Sequence, residues 1–247
     1  MKIAVTRDVS PSIAKCELTH LARTPIDYDR AREQHREYRD LLASLGCSVI
    51  ELPADAAYPD SVFVEDTAIV LDDVAVITRP GAESRRGETQ VIEEVLSRYR
   101  PVKRIEAPAT IDGGDVLVLD EHLYVGITAR SNEAALEQLR RLTGREVTGV
   151  RVDGCLHLKS GITRVSCDAL LVHREWIDVT PFAGWTLIDA EPFGANALLL
   201  DDVVIYPRGF PRTLAKLAGL DVRLVDADEL AKAEGGVTCC SIVFGVR

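Results

Sequence analysis

The chain has 247 residues, of which 47% are hydrophobic and 28% charged, with a formal net charge of −10. That composition can build a sizeable soluble core, and the acidic balance argues against a general nucleic-acid binder, which needs a basic face for phosphate. No apolar run is long enough for a membrane span, and Met1-Lys2-Ile3-Ala4-Val5-Thr6-Arg7 lacks the uninterrupted apolar stretch of a signal peptide.

In chain order, Lys2–Thr6 reads as a strand, a helix is expected around Arg30–Leu45 with Gly46 as its stop, and Ser48–Leu52 is a second strand. Ala68–Ile77 is an apolar run, an Asp-Asp turn and a second apolar run, which is a hairpin signal. Val91, Ile92, Val95, Leu96 and Tyr99 then form a helical stripe. The same order returns at Val116–Val125, followed by a stripe at Ala135, Leu136, Leu139 and Leu142 that Ser131 or Asn132 is placed to cap. A weaker copy, Ile162–Leu171, leaves little room for a helix before the strand Trp185–Ile188. Ala197–Tyr206 repeats the hairpin, with a short helix near Leu214–Leu217 and a stop at Gly219. The last strand, Cys240–Phe244, is expected to pair with Lys2–Thr6, so that a fifth unit is assembled from both ends. Repeats of roughly 35–50 residues mean a propeller or a solenoid, and a ring completed by both termini favours a closed propeller. A single cytoplasmic domain spanning 1–247 follows, with its six cysteines expected as thiols.

Reactive side chains fall at one phase of this repeat, at or just before the first strand of each unit. They are Glu65-Asp66, Asp112-Gly113-Gly114-Asp115, His157 and Cys239-Cys240. In a propeller such positions face the axis and meet, giving a nucleophilic thiol, an imidazole for proton transfer and carboxylates for a cation. Taken singly, each has a plainer reading: a buried cysteine, a structural histidine, a Gly-Gly turn or a solvated acidic turn. Their shared phase favours a common site. Zinc is the competing chemistry, since Cys155 and His157 lie two apart on one face of a presumed strand and Cys167 or Cys239 could add ligands. The paired spacings of structural zinc sites are absent, so no metal is expected.

The blocks Asp60–Asp66, Arg79–Arg86, Asp112–Leu117, Arg130-Ser131-Asn132, Leu156–Ser160 and Thr238–Ser241 together resemble the dimethylarginine dimethylaminohydrolases. That family is part of the guanidino-modifying pentein superfamily, and the resemblance covers essentially the whole chain. It implies an α/β fold, a five-bladed ββαβ propeller with pseudo-fivefold symmetry, and hydrolysis of asymmetric dimethylarginine or monomethylarginine to citrulline and an amine. By position it makes Cys239 the nucleophile, His157 the general acid and base, and Asp112 the carboxylate on the imidazole. Asp60, Glu65 and Asp66 would surround the guanidinium, with Phe63 as an apolar wall. Arg85 and Arg130 would hold the α-carboxylate, and the carbonyls of Leu18 and Ala233 the α-amino group. Neither cofactor nor metal is called for, the partner is a small molecule, and a homodimer is left open.

Arginine and agmatine deiminases carry an acidic residue two after the histidine, where this chain has Lys159, an exchange that leaves room for N-methyl groups. Cys240 is expected on the opposite face of a strand from Cys239. The segment Asp8–Asp27 is a candidate lid. The competing readings are a related hydrolase of free arginine or citrulline, and a non-catalytic propeller that binds a protein or a ribosome.

Overall fold

Apolar–acidic–apolar segments become antiparallel hairpins in the computed structural model, which describes residues 1–246. Ala68–Val70 pairs with Ala75–Ile77, Val116–Leu119 with His122–Ile127, Ile162–Arg164 with Ala169–Val172, and Leu198–Leu200 with Val203–Pro207. The acidic turn residues earn their place sterically: Asp120 and Asp201 adopt left-handed φ values of 55° and 53°, a region that Asp tolerates better than most side chains.

Each hairpin gains a third, parallel strand after a crossover, as parallel pairing requires. These are Val102–Arg104, Glu146–Arg151, Thr186–Asp189 and Asp221–Val225. Helices Thr89–Leu96, Glu133–Thr143 and Pro211–Lys216 supply three crossovers, while the third unit has only the single turn Thr180–Phe182. The fifth sheet joins both ends of the chain: Ile242–Gly245 pairs antiparallel with Lys2–Arg7, which pairs parallel with Cys47–Leu52. Its crossover helix is Tyr28–Ser44, capped by the Asp27 carboxylate accepting from the Arg30 N–H at 3.0 Å.

Five three-stranded sheets therefore fit the five-fold repeat. Hairpin strands such as Ala75–Ile77 and Ala169–Val172 are buried throughout, whereas third strands such as Glu146–Arg151 alternate buried and exposed residues. That difference puts the hairpin strands in the core and the third strands nearer the surface. The apolar helix stripes are present: Ile92, Val95 and Leu96 are buried, as are Ala135 and Leu139.

Three details differ from the sequence reading. Cys240 is in the 3-10 turn Thr238–Cys240, not in a strand, because the last strand begins only at Ile242. Cys155 and His157 lie in a loop leading to the short helix Leu158–Gly161, so they share no strand face. Asn132 stands at the N-cap of its helix, but its side chain accepts the Thr110 N–H at 3.2 Å instead of capping.

The turns before the first strands pack directly against one another. A Cβ on Gly113 would lie 2.0 Å from the Glu65 carbonyl oxygen, so only glycine permits this approach. Gly113→Ala is expected to cost about 1–3 kcal/mol in denaturant unfolding, the usual penalty of forced overpacking. An unchanged midpoint would show that the two turns separate freely.

Candidate active site

Four short turns carry the reactive residues: Val64–Thr67, Gly113–Asp115, the helix Leu158–Gly161 that follows His157, and Thr238–Cys240. Hydrogen bonds join them in a circuit. Gly114 N–H donates to Asp66 Oδ1 at 3.0 Å, and Leu158 N–H donates to Asp115 Oδ1 at 2.9 Å. Asn196 Nδ2 donates to the Lys159 carbonyl and to Thr238 Oγ1, both at 2.9 Å, and Thr238 Oγ1 donates to Glu65 Oε2 at 2.8 Å. Residues from position 65 to position 238 are thereby fixed around one buried cavity.

Asp60, Phe63, Asp66, Arg85, Arg130, His157, Ala233 and Cys239 line that cavity. Asp112 stands behind it: its Oδ2 is 3.0 Å from His157 Nε2, and its Oδ1 accepts the Gly81 N–H at 2.9 Å. Asp66 Oδ1 is 3.8 Å from the other ring nitrogen, Nδ1. A Cβ on Gly114 would fall 2.6 Å from that nitrogen, so the second glycine of the Asp-Gly-Gly-Asp motif is required by contact with the imidazole and is more than a turn residue.

Besides Asp112, two expected residues do not border the cavity. Glu65 has both carboxylate oxygens occupied, one by Lys159 Nζ at 2.6 Å and the other by Thr238. Leu18 is half-buried and packs on the core cluster that contains Cys239 and Phe63. Arg85 lines the cavity but is already engaged: it pairs with Glu88 at 2.8 Å and Asp66 at 2.6 Å and donates to the Asp60 and Phe63 carbonyls. Arg130 is freer, with Thr19 Oγ1 at 3.3 Å and Asp112 Oδ2 at 3.9 Å. The Asp60 carboxylate accepts the Glu17 N–H at 3.1 Å, which ties the Asp8–Asp27 segment to the site. The zinc grouping does not assemble, because Cys167 is exposed in a hairpin turn and the Cys155 thiol donates to the His157 carbonyl.

Sequence reasoning missed Glu17, Leu156, Glu234 and Gly235, which also line the cavity, and assigned no role to Asn196 or Asp115. Asn196 had a signal: it precedes the Leu198 strand at the same phase as the other site residues. Asp115 is fully buried and holds Leu158, Thr128 and Ser131, an anchoring task that its Asp-Gly-Gly-Asp motif leaves unstated.

Electrostatics follow from this packing. Burial opposes a charge on His157, but Asp66, Asp115 and Asp112 outweigh it and push the imidazole up to about 9. Burial likewise opposes ionisation of Asp66, yet His157 and Arg85 hold it down at about 2. The Cys239 thiol is raised well above its ordinary value by burial, then by Glu65 and Asp66. At neutral pH the site therefore pairs an imidazolium with a thiol. Such a set can bind a cation, attack an electrophilic carbon once the thiol ionises, and protonate a leaving group.

The profile of the family described as N,N dimethylarginine dimethylhydrolase, eukaryotic, matches residues 21–180. The chain is 40% identical over 236 residues to the N(G),N(G)-dimethylarginine dimethylaminohydrolase of Pseudomonas aeruginosa, covering 92% of each chain. It is also 40% identical over 249 residues to the enzyme of that name from Streptomyces coelicolor, covering 98% of this chain and 96% of the other. The crystal structure of a cysteine-to-serine variant of the Pseudomonas aeruginosa protein, complexed with citrulline, superposes with a TM-score of 0.93 at 37% identity, covering 98% of both chains. A product-bound arginine dihydrolase domain from cyanobacteria shares the fold, with a TM-score of 0.87 at 20% identity over 98% of this chain and 97% of that one.

Two measurements test the electrostatics. A histidine raised in the folded state adds stability that is complete below its ordinary value of 6.5 and lost as the pH climbs through about 9. Denaturant unfolding of the native protein should therefore weaken across that window, and His157→Asn should flatten the slope; parallel slopes would mean a neutral imidazole. Alkylation of Cys239 by iodoacetamide should be slow at neutral pH and rise about tenfold per pH unit. A fast, pH-independent reaction would instead reveal a resting thiolate.

Proposed function

The chain belongs to the dimethylarginine dimethylaminohydrolase family, and on that premise we propose that it hydrolyses Nω-methylated arginines to citrulline and dimethylamine or methylamine. The observation that carries the reading is the convergence of Cys239, His157 and Asp66 on one buried cavity, with Asp112 held on the imidazole.

The Asp66 carboxylate, held ionised by His157 and Arg85, accepts the guanidinium N–H groups and fixes the plane of the electrophilic carbon. Glu65, although tethered to Lys159, adds negative charge beside the Cys239 sulfur. Those same carboxylates oppose a thiolate in the resting enzyme, so a cationic guanidinium placed among them offsets the opposition, and the thiol proton leaves to solvent. The thiolate attacks the guanidinium carbon. Imidazolium His157 gives its proton to the methylated nitrogen, the C–N bond breaks, and the amine departs from an S-alkylthiouronium. Neutral His157 then takes a proton from water as the oxygen adds to the same carbon. Collapse of that adduct breaks the C–S bond, its hydroxyl proton passes to the Cys239 sulfur, and the neutral ureido group of citrulline is left. Water is the sole co-reactant, and Asp112 keeps the imidazole oriented and favours its charged form.

At the amino-acid end Arg130 is the cation with donors to spare for an α-carboxylate, assisted by Arg85. The carbonyls of Leu18 and Ala233 accept from the α-ammonium, with Asp60 beside them and Phe63 as the apolar wall. The five sheets are read as blades of a closed ββαβ propeller in a single domain. The circuit of hydrogen bonds among its turns and the sheet built from both termini support that reading. Among the described residues no helix is long and apolar enough to cross a membrane. A cytoplasmic location remains part of the proposal, as does a homodimer, which light scattering after size exclusion would measure.

The decisive assay incubates the protein and its Cys239→Ser variant with asymmetric dimethylarginine, monomethylarginine, arginine and citrulline. Citrulline and amine should form from the methylated arginines only, and the variant should lose at least about a thousandfold in kcat. Ammonia from arginine would move the chain to deiminase chemistry.

A further inference from the structure

Within the Asp8–Asp27 segment, the backbone of residues 19–21 is fastened to the rest of the molecule by one side chain. Glu234 accepts three consecutive backbone N–H groups of that segment: Thr19 at 3.0 Å on Oε2, and His20 at 2.5 Å and Leu21 at 2.6 Å on Oε1. Arg23 folds the same segment onto itself, donating to the carbonyls of Ala14 and Cys16, both at 2.6 Å. Thr19 and His20 are exposed, so no core packing holds these two residues in place.

The backbone at Glu234 gives a second, independent sign. Its φ is 60°, in the left-handed region where a glycine would sit without strain, and glycines follow directly at 235 and 236. A carboxylate stands there nonetheless, and that conformation aims it at the segment. Glu234 also lines two cavities at once. One is the catalytic cavity, whose free space of about 10 Å³ holds no more than one water. The other is a neighbouring groove of about 630 Å³ that includes His20, Leu21, Phe193 and Phe210. Leu156, Glu234 and Gly235 form the wall between them.

The geometry points to Glu234 as a positioning residue, a latch that closes the 16–23 segment over the site and sets the pocket for the substrate's α-ammonium group. Ala233, next to Glu234, and Glu17, two residues before the first latched N–H, both line the catalytic cavity, and Leu18 lies between Glu17 and the three latched N–H groups. Fastening the segment fixes the spacing of the Leu18 and Ala233 carbonyls, so the latch acts through the backbone that meets the amine. Its release joins the closed cavity to the groove and admits the substrate, which the closed form is too small to receive. The proposal rests, for the identity of its substrate, on the methylarginine hydrolase reading above.

Glu234→Gln tests it, because the amide keeps the shape but offers one acceptor oxygen in place of two. The variant should lose about tenfold in kcat/KM for asymmetric dimethylarginine, through KM. It should change less than twofold on 5-(N′-methylguanidino)pentanoate, which has no α-amine. Amide hydrogen exchange at 19–21 should accelerate at least about tenfold, with the unfolding midpoint unchanged. Equal losses on both substrates overturn the α-ammonium role, and unaltered exchange at 19–21 overturns the latch. Turnover of neither compound by the native protein would defeat the hydrolase reading, while the exchange measurement would still decide the latch.

Discussion

An imidazole stays protonated inside a protein only where anions outweigh its lost hydration, and that balance at His157 governs much of the site. The ring is 3% exposed, with Asp112 at 3.0 Å from one nitrogen and Asp66 at 3.8 Å from the other. Each carboxylate needs further partners in turn, and finds them on its own repeat and on neighbouring ones. Asp112 takes the Gly81 N–H, Asp66 takes Gly114 and Arg85, and Asp115 takes Leu158, Thr128 and Ser131. Arg85 is neutralised by Glu88, itself 2% exposed. Removing one member strands a buried charge, which costs far more than the pair contributes. Charge balance and chain architecture are therefore the same problem here, because the groups that keep the imidazole charged also bind the sheets' inner turns together.

This coupling explains which parts of the molecule were legible in its sequence. The hairpins and their partners were, because period-two apolar runs and acidic left-handed turns at Asp120 and Asp201 are local signals. The phase shared by Asp66, Asp112, His157 and Cys239 was also legible, since a repeat can bring equivalent positions of successive units together. The engagement of Glu65 by Lys159 and of Arg85 by Glu88 was not, because it depends on side-chain direction, across repeats in the first pair and along one helical turn in the second. Nor was the latch: Glu234 and the 19–21 backbone meet across 215 residues or slightly fewer, through N–H groups that every residue type carries. The last strand was read as starting at Cys240, two residues early, since the short run before Ile242 carries no local signal that separates turn from strand.

Lys159 shows how a substitution acts through charge balance as well as space. Without that cation, Glu65 would be a buried carboxylate with only Thr238 as donor, close to a thiol that must ionise. Burial already raises Glu65 above the ordinary carboxylate value, and Lys159 is the foremost influence lowering it. The lysine thus keeps a negative charge available near the sulfur without adding a second unpaired one. An acidic residue there would place two carboxylates side by side, a pair that calls for an unsubstituted guanidinium to satisfy it.

The resting site holds one proton more than the chemistry can use. In the proposed mechanism His157, charged at rest, must stay so to protonate the departing amine, while Cys239, neutral at rest, must become an anion to attack. Neither group can resolve this by passing a proton to the other, because the imidazole already carries its own. The excess proton has to leave the site, and charge balance indicates when. Replacing a water by a guanidinium adds a positive charge beside Asp66 and Glu65, which lowers the cost of the thiolate at the moment the electrophile arrives. A neutral ureido product removes that charge and restores the thiol. Nucleophile activation is in this way tied to substrate charge, so an empty pocket keeps its sulfur protonated and poorly reactive.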